Sequence, residues 1–511
     1  MNRFPFFYLV GLSLLLGCTS QKEATHDVIK PNIILIYLDD LGYGDLSSYG
    51  ATELQTPHID RLVHGGVKFI NGYASSATCT PSRYAILTGR YPWRKNAKIL
   101  SGTAPLIIDT AQMTLPKMLK KGGYATGLVG KWHLGLGDGS VDWNEQITPG
   151  PNEVGFDDAY YMAATQDRVP TVYIDNGYVA NLDPNNPITV SYKQPLADVP
   201  TAVSHPEKLT MKPLIGHQNT IVNGVPRIGY MKGGATARWK DVDMADHFLA
   251  KSQAFIQAHK TEPFFLYYAM QQPHVPRIPH PRFAGKSKLG PRGDVILEAD
   301  WCIGELMKTL EEEDLLENTL LIFSSDNGPV LNDGYDDQAV ELLGDHTPTG
   351  GLRGGKYSLF DAGARVPLAT YWKGKIKPTV SEALVCQMDL LASLARLVGT
   401  EVATSDSQDL LSALLGQTHT GRKALVIEAT TRTAYREGDW IMIPPYGGRK
   451  LLTDVNIEIG NDTTFQLYNL KEDVAQQHNL AETEPERLKQ MLDAFVEIRG
   501  EDYLDYQPIQ W

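Results

Sequence analysis

The stretch NIILIYLDD, residues 32–40, runs from a short apolar segment directly into two aspartates. A short apolar run that ends at polar residues is typical of a strand buried on both faces, as strands of parallel sheets are. Three other runs share this character: ATGLVG (125–130), PFFLYYAM (263–270) and TLLIFSS (319–325). Helical patterns lie between the runs, among them residues 114–121 and 294–313. This alternation predicts an α/β fold with a mostly parallel sheet covered by helices.

Polar side chains follow each of the four apolar runs at once. They are Asp39 and Asp40, Lys131 and His133, His274, and Asp326 and Asn327. Open α/β sheets bind their ligands at the carboxyl ends of the strands. We therefore expect these residues, which are far apart in the sequence, to meet in one crevice.

The rest of the chain divides near residue 405. Residues 135–240 are rich in Gly, Pro, Asn and Asp, which predicts long surface loops around the rim of a site. After residue 405, short apolar segments alternate with turns (KALVIEA, DWIMIPP, KLLTDV and TFQLYNL), and an amphipathic pattern follows near 485–499. We expect a large domain over residues 31–404 and a smaller C-terminal α+β domain with an antiparallel sheet over residues 405–511.

The N-terminus has the pattern of an export signal. Arg3 precedes an apolar run that ends at Gly17 and is shorter than the roughly 20 residues of a membrane-spanning helix. The sequence Leu-Leu-Gly-Cys that ends at Cys18 resembles the bacterial lipoprotein box, which implies a signal peptide over residues 1–18 and lipidation of Cys18. A tether over residues 19–30 would then hold the protein to a membrane, in the periplasm or at the cell surface of a bacterium. The alternatives are an unlipidated signal peptide and an incidental core cysteine.

The net charge restricts the partners. A charge of −13 over 511 residues argues against a nucleic-acid partner bound over a broad face. An anionic substrate must be held by a local cluster of cations, since surface charges are screened beyond about 8 Å at physiological ionic strength.

The acidic residues suit a hard cation. Asp39 with Asp40, and Asp326 with Asn327, offer only oxygen donors, as calcium and magnesium prefer. Either pair alone could equally be part of a turn or a helix cap, where such residues are common. If the strand ends converge, both pairs face the same ion.

The cations suit a tetrahedral oxyanion. Arg83, Lys131 and Lys356, with His133 and His274, would stabilise charge on a sulfate or phosphate if they met beside that ion. Each of them taken alone fits an ordinary surface charge or a satisfied histidine. Cys302 and Cys386 follow apolar patterns and are expected in the core, which leaves Cys79 unexplained, since a thiolate is a soft ligand.

The sequence around Cys79 resembles the type I sulfatase signature. CTPSR at 79–83 and TGR at 88–90 match it, and similar blocks extend over most of the chain, including residues 33–50, 123–135, 271–276, 325–329, 352–367 and 466–481. One departure is Asp361-Ala362, where many relatives have Glu-Gly. The resemblance implies an alkaline-phosphatase-like α/β domain and the hydrolysis of sulfate esters.

The resemblance also implies the roles of the site residues. Cys79 would be oxidised to formylglycine by a formylglycine-generating or anaerobic maturation enzyme, and one Ca²⁺ would be bound by residue 79 together with Asp39, Asp40, Asp326 and Asn327. One hydroxyl of the hydrated aldehyde would attack sulfur, and the second would then lose its proton and expel sulfate. The remaining roles are hydrate binding for Arg83 and His133, sulfate neutralisation for Lys131 and Lys356, and protonation of the leaving oxygen for His274.

The expected substrate is a sulfated polysaccharide or its oligosaccharides. Five residues are candidate sugar contacts, each with a structural role as the alternative: Asp167, Arg168, His217, Trp239 and His346. Within the family, the general resemblance is to galactose or N-acetylgalactosamine 6-sulfatases. The rival functions are a two-zinc phosphatase or phosphodiesterase of the same broad fold, and a catalytically silent lipoprotein that captures sulfated glycans.

Overall fold

The computed structural model describes residues 30–505 together with residues 1 and 5. Cys18 and nearly all of the predicted signal peptide and tether lie outside these residues, as does the C-terminal end of the predicted second domain. Among the described residues, no helix combines the length and the apolar character needed to cross a bilayer.

The secondary structure alternates between strands and helices up to residue 398. The strands are β1 Asn32–Asp39, β2 Val67–Phe69, β3 Gly72–Tyr73, β4 Ala125–Lys131, β5 Asp158–Met162, β6 Tyr173–Asp175, β7 Tyr178–Val179, β8 Thr189–Ser191, β9 Lys212–Pro213, β10 Ile221–Val222, β11 Val225–Pro226, β12 Tyr230–Lys232, β13 Phe264–Pro273, β14 Thr319–Ser325, β15 Tyr335–Asp336, β16 Leu368–Tyr371, β17 Thr379–Ser381, β18 Val385–Cys386, β19 Ala424–Ala429, β20 Arg432–Glu437, β21 Trp440–Ile443, β22 Leu451–Leu452, β23 Ile457–Glu458 and β24 Gln466–Asn469. The α-helices are α1 Pro57–Gly65, α2 Cys79–Thr88, α3 Leu115–Lys121, α4 Pro151–Val154, α5 Met244–Ala258, α6 Gly290–Glu312, α7 Leu390–Val398, α8 Leu411–Leu414 and α9 Pro485–Arg499.

The four predicted strands lie side by side at the centre of a large sheet. Its order is β17-β2-β16-β14-β1-β13-β4-β5-β6-β7, and β14, β1, β13 and β4 are parallel neighbours. Ile34 of β1 is in register with Leu266 on one side and Leu321 on the other. Because neighbouring parallel strands end at the same edge, the polar residues that follow them are brought together, and the predicted fold class is confirmed.

Each face of the sheet is covered by helices, which explains the apolar runs. Alternate residues of β1 point to opposite faces, so that Leu35 belongs to the core cluster that contains α2, α3 and α7, and Ile36 belongs to the cluster that contains α1, α5 and α6. Both side chains are buried, as a strand between two helical layers requires. Cys302 lies on the buried face of α6, and both Cys302 and Cys386 are free thiols in the core, as expected.

The prediction of surface loops over residues 135–240 is wrong in part. Strand β5 extends the parallel sheet beyond β4, and the antiparallel strands β6 and β7 follow it. Tyr161 of β5 is fully buried in the core. These strands have two to five residues, too few for an alternating pattern to stand out among glycines and prolines.

The C-terminal region forms the expected antiparallel sheet, in the order β19-β20-β21-β24. Strand β20 was not predicted, because its sequence RTAYRE reads as polar although its first five residues are buried. The predicted strand KLLTDV lies outside this sheet and pairs with β23 as β22. Helix α9 packs on the sheet through Met491 and Phe495. The boundary at residue 405 remains a prediction.

The C-terminal sheet is joined to the segment that precedes α2. Ser76 pairs with Glu428 of β19 in a β-bridge, and the amide of Ala77 donates to the carbonyl of Glu428 at 2.8 Å. The hydroxyl of Ser76 also donates to the Glu428 carboxylate. The strand β19 therefore fixes the chain directly before Cys79.

Candidate active site

Acidic side chains converge at the carboxyl ends of β1 and β14. Asp39 is the last residue of β1, and Asp40 follows it with a φ of 65°. Asp326 follows β14. One ligand atom from each of these three residues and the sulfur of Cys79 lie within 4.8 Å of one another, and all four side chains are buried. The crevice predicted from the strand ends is present.

A cation compensates each of these buried carboxylates. Lys131 Nζ lies 2.6 Å from Asp39 Oδ2, and Arg83 Nε donates to Asp326 Oδ2 at 2.9 Å. Lys356 Nζ lies 2.9 Å from Asp40 Oδ2. The three pairs are almost wholly removed from solvent. An unpaired buried charge destabilises the folded protein, so each carboxylate needs its neighbouring cation in order to be buried in the charged form.

Two buried oxygens at this site lack a partner within the described part of the chain. Asp39 Oδ1 accepts no hydrogen bond, and neither does Asn327 Oδ1. The amide nitrogen of Asn327 donates to Asp40 Oδ1 at 2.7 Å, which leaves its oxygen free to face the cluster. Buried polar atoms normally have a hydrogen-bond partner or a bound metal, so these two oxygens indicate a site for a bound group. An oxygen-only set of this kind fits a hard cation such as Ca²⁺.

The protonation of the carboxylates reflects their crowding. Burial and then the Asp39 charge raise the pKa of Asp326 to about 6, against the opposing effect of Arg83. Burial also opposes ionisation of Asp40, but Lys356, His274 and Lys131 outweigh it and hold the pKa of Asp40 well below its usual range. A bound cation would relieve the repulsion that burdens Asp326.

Cys79 is the first residue of α2 and is 1% exposed. Every residue of this helix is buried, and the helix ends at Gly89, whose φ of 64° closes it in the left-handed region. Burial raises the pKa of the Cys79 thiol to about 12, although Lys131 and Lys356 oppose the shift. The thiol is therefore neutral at physiological pH and has neither the nucleophilicity nor the ligand strength of a thiolate.

The two histidines present different nitrogens to the site. His133 Nε2 lies 2.9 Å from the Leu100 carbonyl and so carries the proton, whereas its buried Nδ1 has no partner among the described residues. Burial, then Lys131 and Arg168, hold the pKa of His133 well below its usual value. The neutral ring therefore presents an unprotonated Nδ1, which can accept a proton.

His274 is held the opposite way round. Its Nδ1 donates to the Val275 carbonyl at 2.6 Å, and its Nε2 lies 3.8 Å from Asp40 Oδ2. Burial and then Lys356 lower the pKa of His274 to about 4, against the Asp40 and Asp167 charges. A bound anion beside Nε2 would favour the protonated form, which is the form that can donate a proton there.

These groups line a cavity of about 970 Å³. Cys79, His133, His274 and Lys356 contribute to its wall, and so do three of the five predicted sugar contacts: Asp167, Arg168 and His217. Asp167 Oδ2 accepts from His217 Nε2 at 2.9 Å, and Asp167 Oδ1 accepts from Arg168 Nη1 at 3.1 Å.

The other two predicted sugar contacts do not line this cavity. Trp239 is 2% exposed, and its indole nitrogen donates to Asp241 while its ring packs on Tyr173. His346 is buried against Asp45, which also binds Arg292. Both residues make structural contacts within loops. A polar or aromatic residue in a loop-rich region suggested a sugar contact, but the same residue types also serve to fix loops.

Some lining residues were missed. Asp333 lies 2.9 Å from Lys356 Nζ and thus shares this cation with Asp40. Its position seven residues after Asp326, on the loop that leaves β14, was the available signal. Thr430 and Thr431 also line the cavity, and they lie in the turn between β19 and β20, which no pattern in the sequence connected with the site.

Comparisons with known proteins identify the family of this site. The sulfatase family model matches residues 31–400. The chain belongs to the sulfatase family. An N-acetylgalactosamine-6-O-sulfatase from Bacteroides thetaiotaomicron is 51% identical over 96% of this chain and 98% of its own length. Human arylsulfatase A is 33% identical over 77% of this chain and 70% of its own length.

Solved structures agree with this membership. One solved structure comes from work on the metabolism of multiple glycosaminoglycans by Bacteroides thetaiotaomicron. It matches with a TM-score of 0.90 and 51% identity, over 92% of this chain and 99% of the other. A sulfatase from a Pseudoalteromonas species matches with a TM-score of 0.65 at 23% identity, over 94% of this chain and 92% of the other, which shows the fold alone. The protein is therefore an enzyme that hydrolyses sulfate esters, and the two-zinc phosphatase and the silent glycan binder are set aside.

We predict that the sulfatase needs Arg83 for stability. Arg83→Met removes the closer of the two cations beside Asp326 and leaves Lys131 Nζ 3.8 Å from the carboxylate, so the free energy of unfolding in the metal-free protein should fall by about 3 kcal/mol at pH 8. The loss should be smaller at pH 4, because the pKa of Asp326 is about 6 in the wild type and higher without Arg83, so that the carboxyl group is then protonated in both folded proteins. Urea unfolding at the two pH values measures both effects.

Arg61→Met is the matched control. Arg61 pairs with Glu311 on the surface, where both side chains are at least 40% exposed, and its loss should cost less than about 1 kcal/mol. Equal losses for the two variants would show that Arg83 does not compensate a buried charge.

Proposed function

We propose that this sulfatase removes sulfate from carbohydrates, with the 6-sulfate of N-acetylgalactosamine as the first candidate substrate. The observation that carries this proposal is the 51% identity, over nearly the full length of both chains, to a protein named N-acetylgalactosamine-6-O-sulfatase. The cavity supports it, because carboxylate, guanidinium and imidazole groups beside the sulfate site suit the hydroxyl groups of a sugar.

We further propose that the reacting group is a formylglycine made from Cys79, in the motif CTPSR. The neutral, buried thiol is poorly suited to attack sulfur or to bind a hard cation. A hydrated aldehyde at the same position offers oxygen atoms for both purposes. Its second hydroxyl also gives the sulfated residue a way to expel sulfate, which a serine lacks.

The oxygen cluster would hold one Ca²⁺. Asp39, Asp40, Asp326 and Asn327 supply the ligands, with the unpartnered Asp39 Oδ1 and Asn327 Oδ1 as the strongest indication. When bound, the ion supplies positive charge that orients the reacting oxygen and the sulfate group.

The remaining side chains divide the work of binding and proton transfer. Lys131 and Lys356 bring positive charge to the sulfate oxygens, in addition to their contacts with Asp39 and Asp40. His133 Nδ1 is free to accept a proton from a hydroxyl on residue 79, and Arg83 fixes Asp326 beside it. His274 Nε2 would donate a proton to the leaving sugar oxygen once the anionic ester favours its protonated form.

The substrate and the reacting residue can be tested together. Purified enzyme should release sulfate from 6-sulfated N-acetylgalactosamine much faster than from its 4-sulfated isomer, and Cys79→Ala should reduce the rate by at least about 10³-fold, because the nucleophile is lost. Released sulfate is measured by ion chromatography. Wild-type activity in Cys79→Ala would overturn the mechanism.

The modification itself can be measured by mass spectrometry. In the active enzyme, the peptide that contains residue 79 should have lost the sulfur and two hydrogens of Cys79 and gained one oxygen.

The metal can be tested by exchange. Chelation should abolish turnover, and Ca²⁺ but not Zn²⁺ should restore it. At a hundred times its dissociation constant, Ca²⁺ should also stabilise the folded protein by about 2.7 kcal/mol. The Asp39→Ala variant should lose this stabilisation. The control variant Asp158→Ala changes an exposed aspartate and should keep it. Reactivation by zinc alone would contradict the calcium assignment.

We propose that the enzyme is exported and anchored to a bacterial membrane through a lipid on Cys18. The support is the Leu-Leu-Gly-Cys sequence that ends the apolar N-terminal run. In the native host, metabolic labelling with palmitate should mark the wild-type protein, and Cys18→Ala should remove the label and the membrane association. Unlabelled, freely soluble wild-type protein would argue against the anchor.

A further inference from the structure

The turn between β19 and β20 forms part of the wall of the active-site cavity. Ala429 and Arg432 are the last paired residues of the two strands, and only Thr430 and Thr431 lie between them. Their φ angles are 51° and 75°, and both side chains are half-buried at the cavity. A two-residue turn with positive φ at both positions is favoured by Asn-Gly, not by threonine.

Threonine is poorly suited to this backbone conformation. A β-branched side chain clashes with the neighbouring peptide when φ is positive, so that two consecutive threonines there strain the turn. Strained residues of this kind persist where the surrounding structure holds them, and they concentrate at ligand sites. A sequence shaped by stability alone would place asparagine and glycine at positions 430 and 431.

The turn is held firmly beside the reacting residue. The Glu428 carboxylate accepts hydrogen bonds from the amide of Thr431 and from the hydroxyl of Ser76. Ser76 Oγ lies 3.0 Å from Thr78 Oγ1, and Thr78 lines the cavity next to Cys79. This chain of contacts connects the strained turn to the segment from which α2 begins.

The chemistry of this wall differs from that of the sulfate site. The lining residues that come from the C-terminal region are Thr430, Thr431, Asp454 and Val455, and none of them is a cation. The cations that line the cavity, Lys98, Arg168 and Lys356, lie in the preceding part of the chain. Hydroxyl, carboxylate and methyl groups suit an uncharged ring with hydroxyl groups and an apolar face, and the Asp454 charge disfavours the sulfate itself.

We propose that the Thr430–Thr431 turn is a specificity-determining contact for a sugar ring of the substrate, and that its strain is retained for that contact. The assignment rests on the proposed carbohydrate substrate. The competing explanation is structural, since Thr430 Oγ1 donates to the Ala429 carbonyl at 2.7 Å and accepts from Arg432 at 2.9 Å. The two explanations predict opposite changes in stability when the threonines are replaced.

The test is the double variant Thr430→Asn/Thr431→Gly in calcium-loaded protein. The substitution relieves the strain and removes both threonine side chains, so the melting temperature should rise by about 2 °C or more. In the Cys79→Ala background, which leaves substrate intact, affinity for 6-sulfated N-acetylgalactosamine or its disaccharides should fall by about tenfold. Affinity for inorganic sulfate, measured by the same calorimetry, should be unchanged, because that probe engages only the cation cluster.

Two further variants separate strain from binding. Asp314→Gly relieves a positive φ of 56° at an exposed residue after α6, and it should raise the melting temperature without changing carbohydrate affinity. Thr431→Ser keeps the hydroxyl with less crowding and should retain most of the affinity.

The outcomes distinguish this assignment from the proposed function. Unchanged carbohydrate affinity in the double variant would overturn the assignment, and so would a lower melting temperature, since the turn would then be structural. If the Cys79→Ala parent bound no sulfated carbohydrate and the wild-type enzyme released no sulfate from any, the proposed function would fail, and the assignment with it.

Discussion

Electrostatic compensation at one edge of a parallel sheet governs this structure. Three carboxylates are buried where β1 and β14 end, and they are stable there because Lys131, Arg83 and Lys356 reach them from β4, from α2 and from the loop between β15 and β16. Each cation comes from a different part of the fold, so the sheet order, the position of α2 and the course of that loop must all be correct before the cluster can exist. The same arrangement places positive groups beside a set of oxygen ligands, which is what binding an anionic ester next to a metal requires.

The central strands could be predicted because both of their faces are buried. A strand such as TLLIFSS has no solvent-exposed face to interrupt its apolar run, and its limits in the structure are those expected. The polar residues of the site could also be predicted, because they follow those strands directly. Prediction was weaker where burial comes from tertiary contacts. The arginines of β20 are buried by partners that the local sequence does not reveal, and the short strands β5 to β7 are set by pairing with the sheet edge.

The limit of prediction from sequence is clearest for the loop residues. Asp167, Arg168 and His217 lie in the cavity and Trp239 and His346 do not, although their residue types and surroundings in the sequence are similar. What separates them is the path of the loops between residues 163 and 240 and after β14. For His346, in the loop after β14, that path depends on a contact with Asp45, which also binds Arg292 and is far from the loop in sequence. Thr430 and Thr431 were missed for the same reason.

The burial of α2 bears on the formylglycine modification that we propose for Cys79. All ten residues of the helix, including the whole CTPSR segment, are enclosed by the core, by β19 and by the strand ends. A maturation enzyme that carried out the proposed oxidation of Cys79 would need this segment as an accessible peptide, whereas the folded protein buries it. The proposed modification would therefore take place on the nascent or unfolded chain. A chain that folded before it met such an enzyme would stay inactive for as long as it stayed folded, so the yield of active enzyme would depend on the order of these two events.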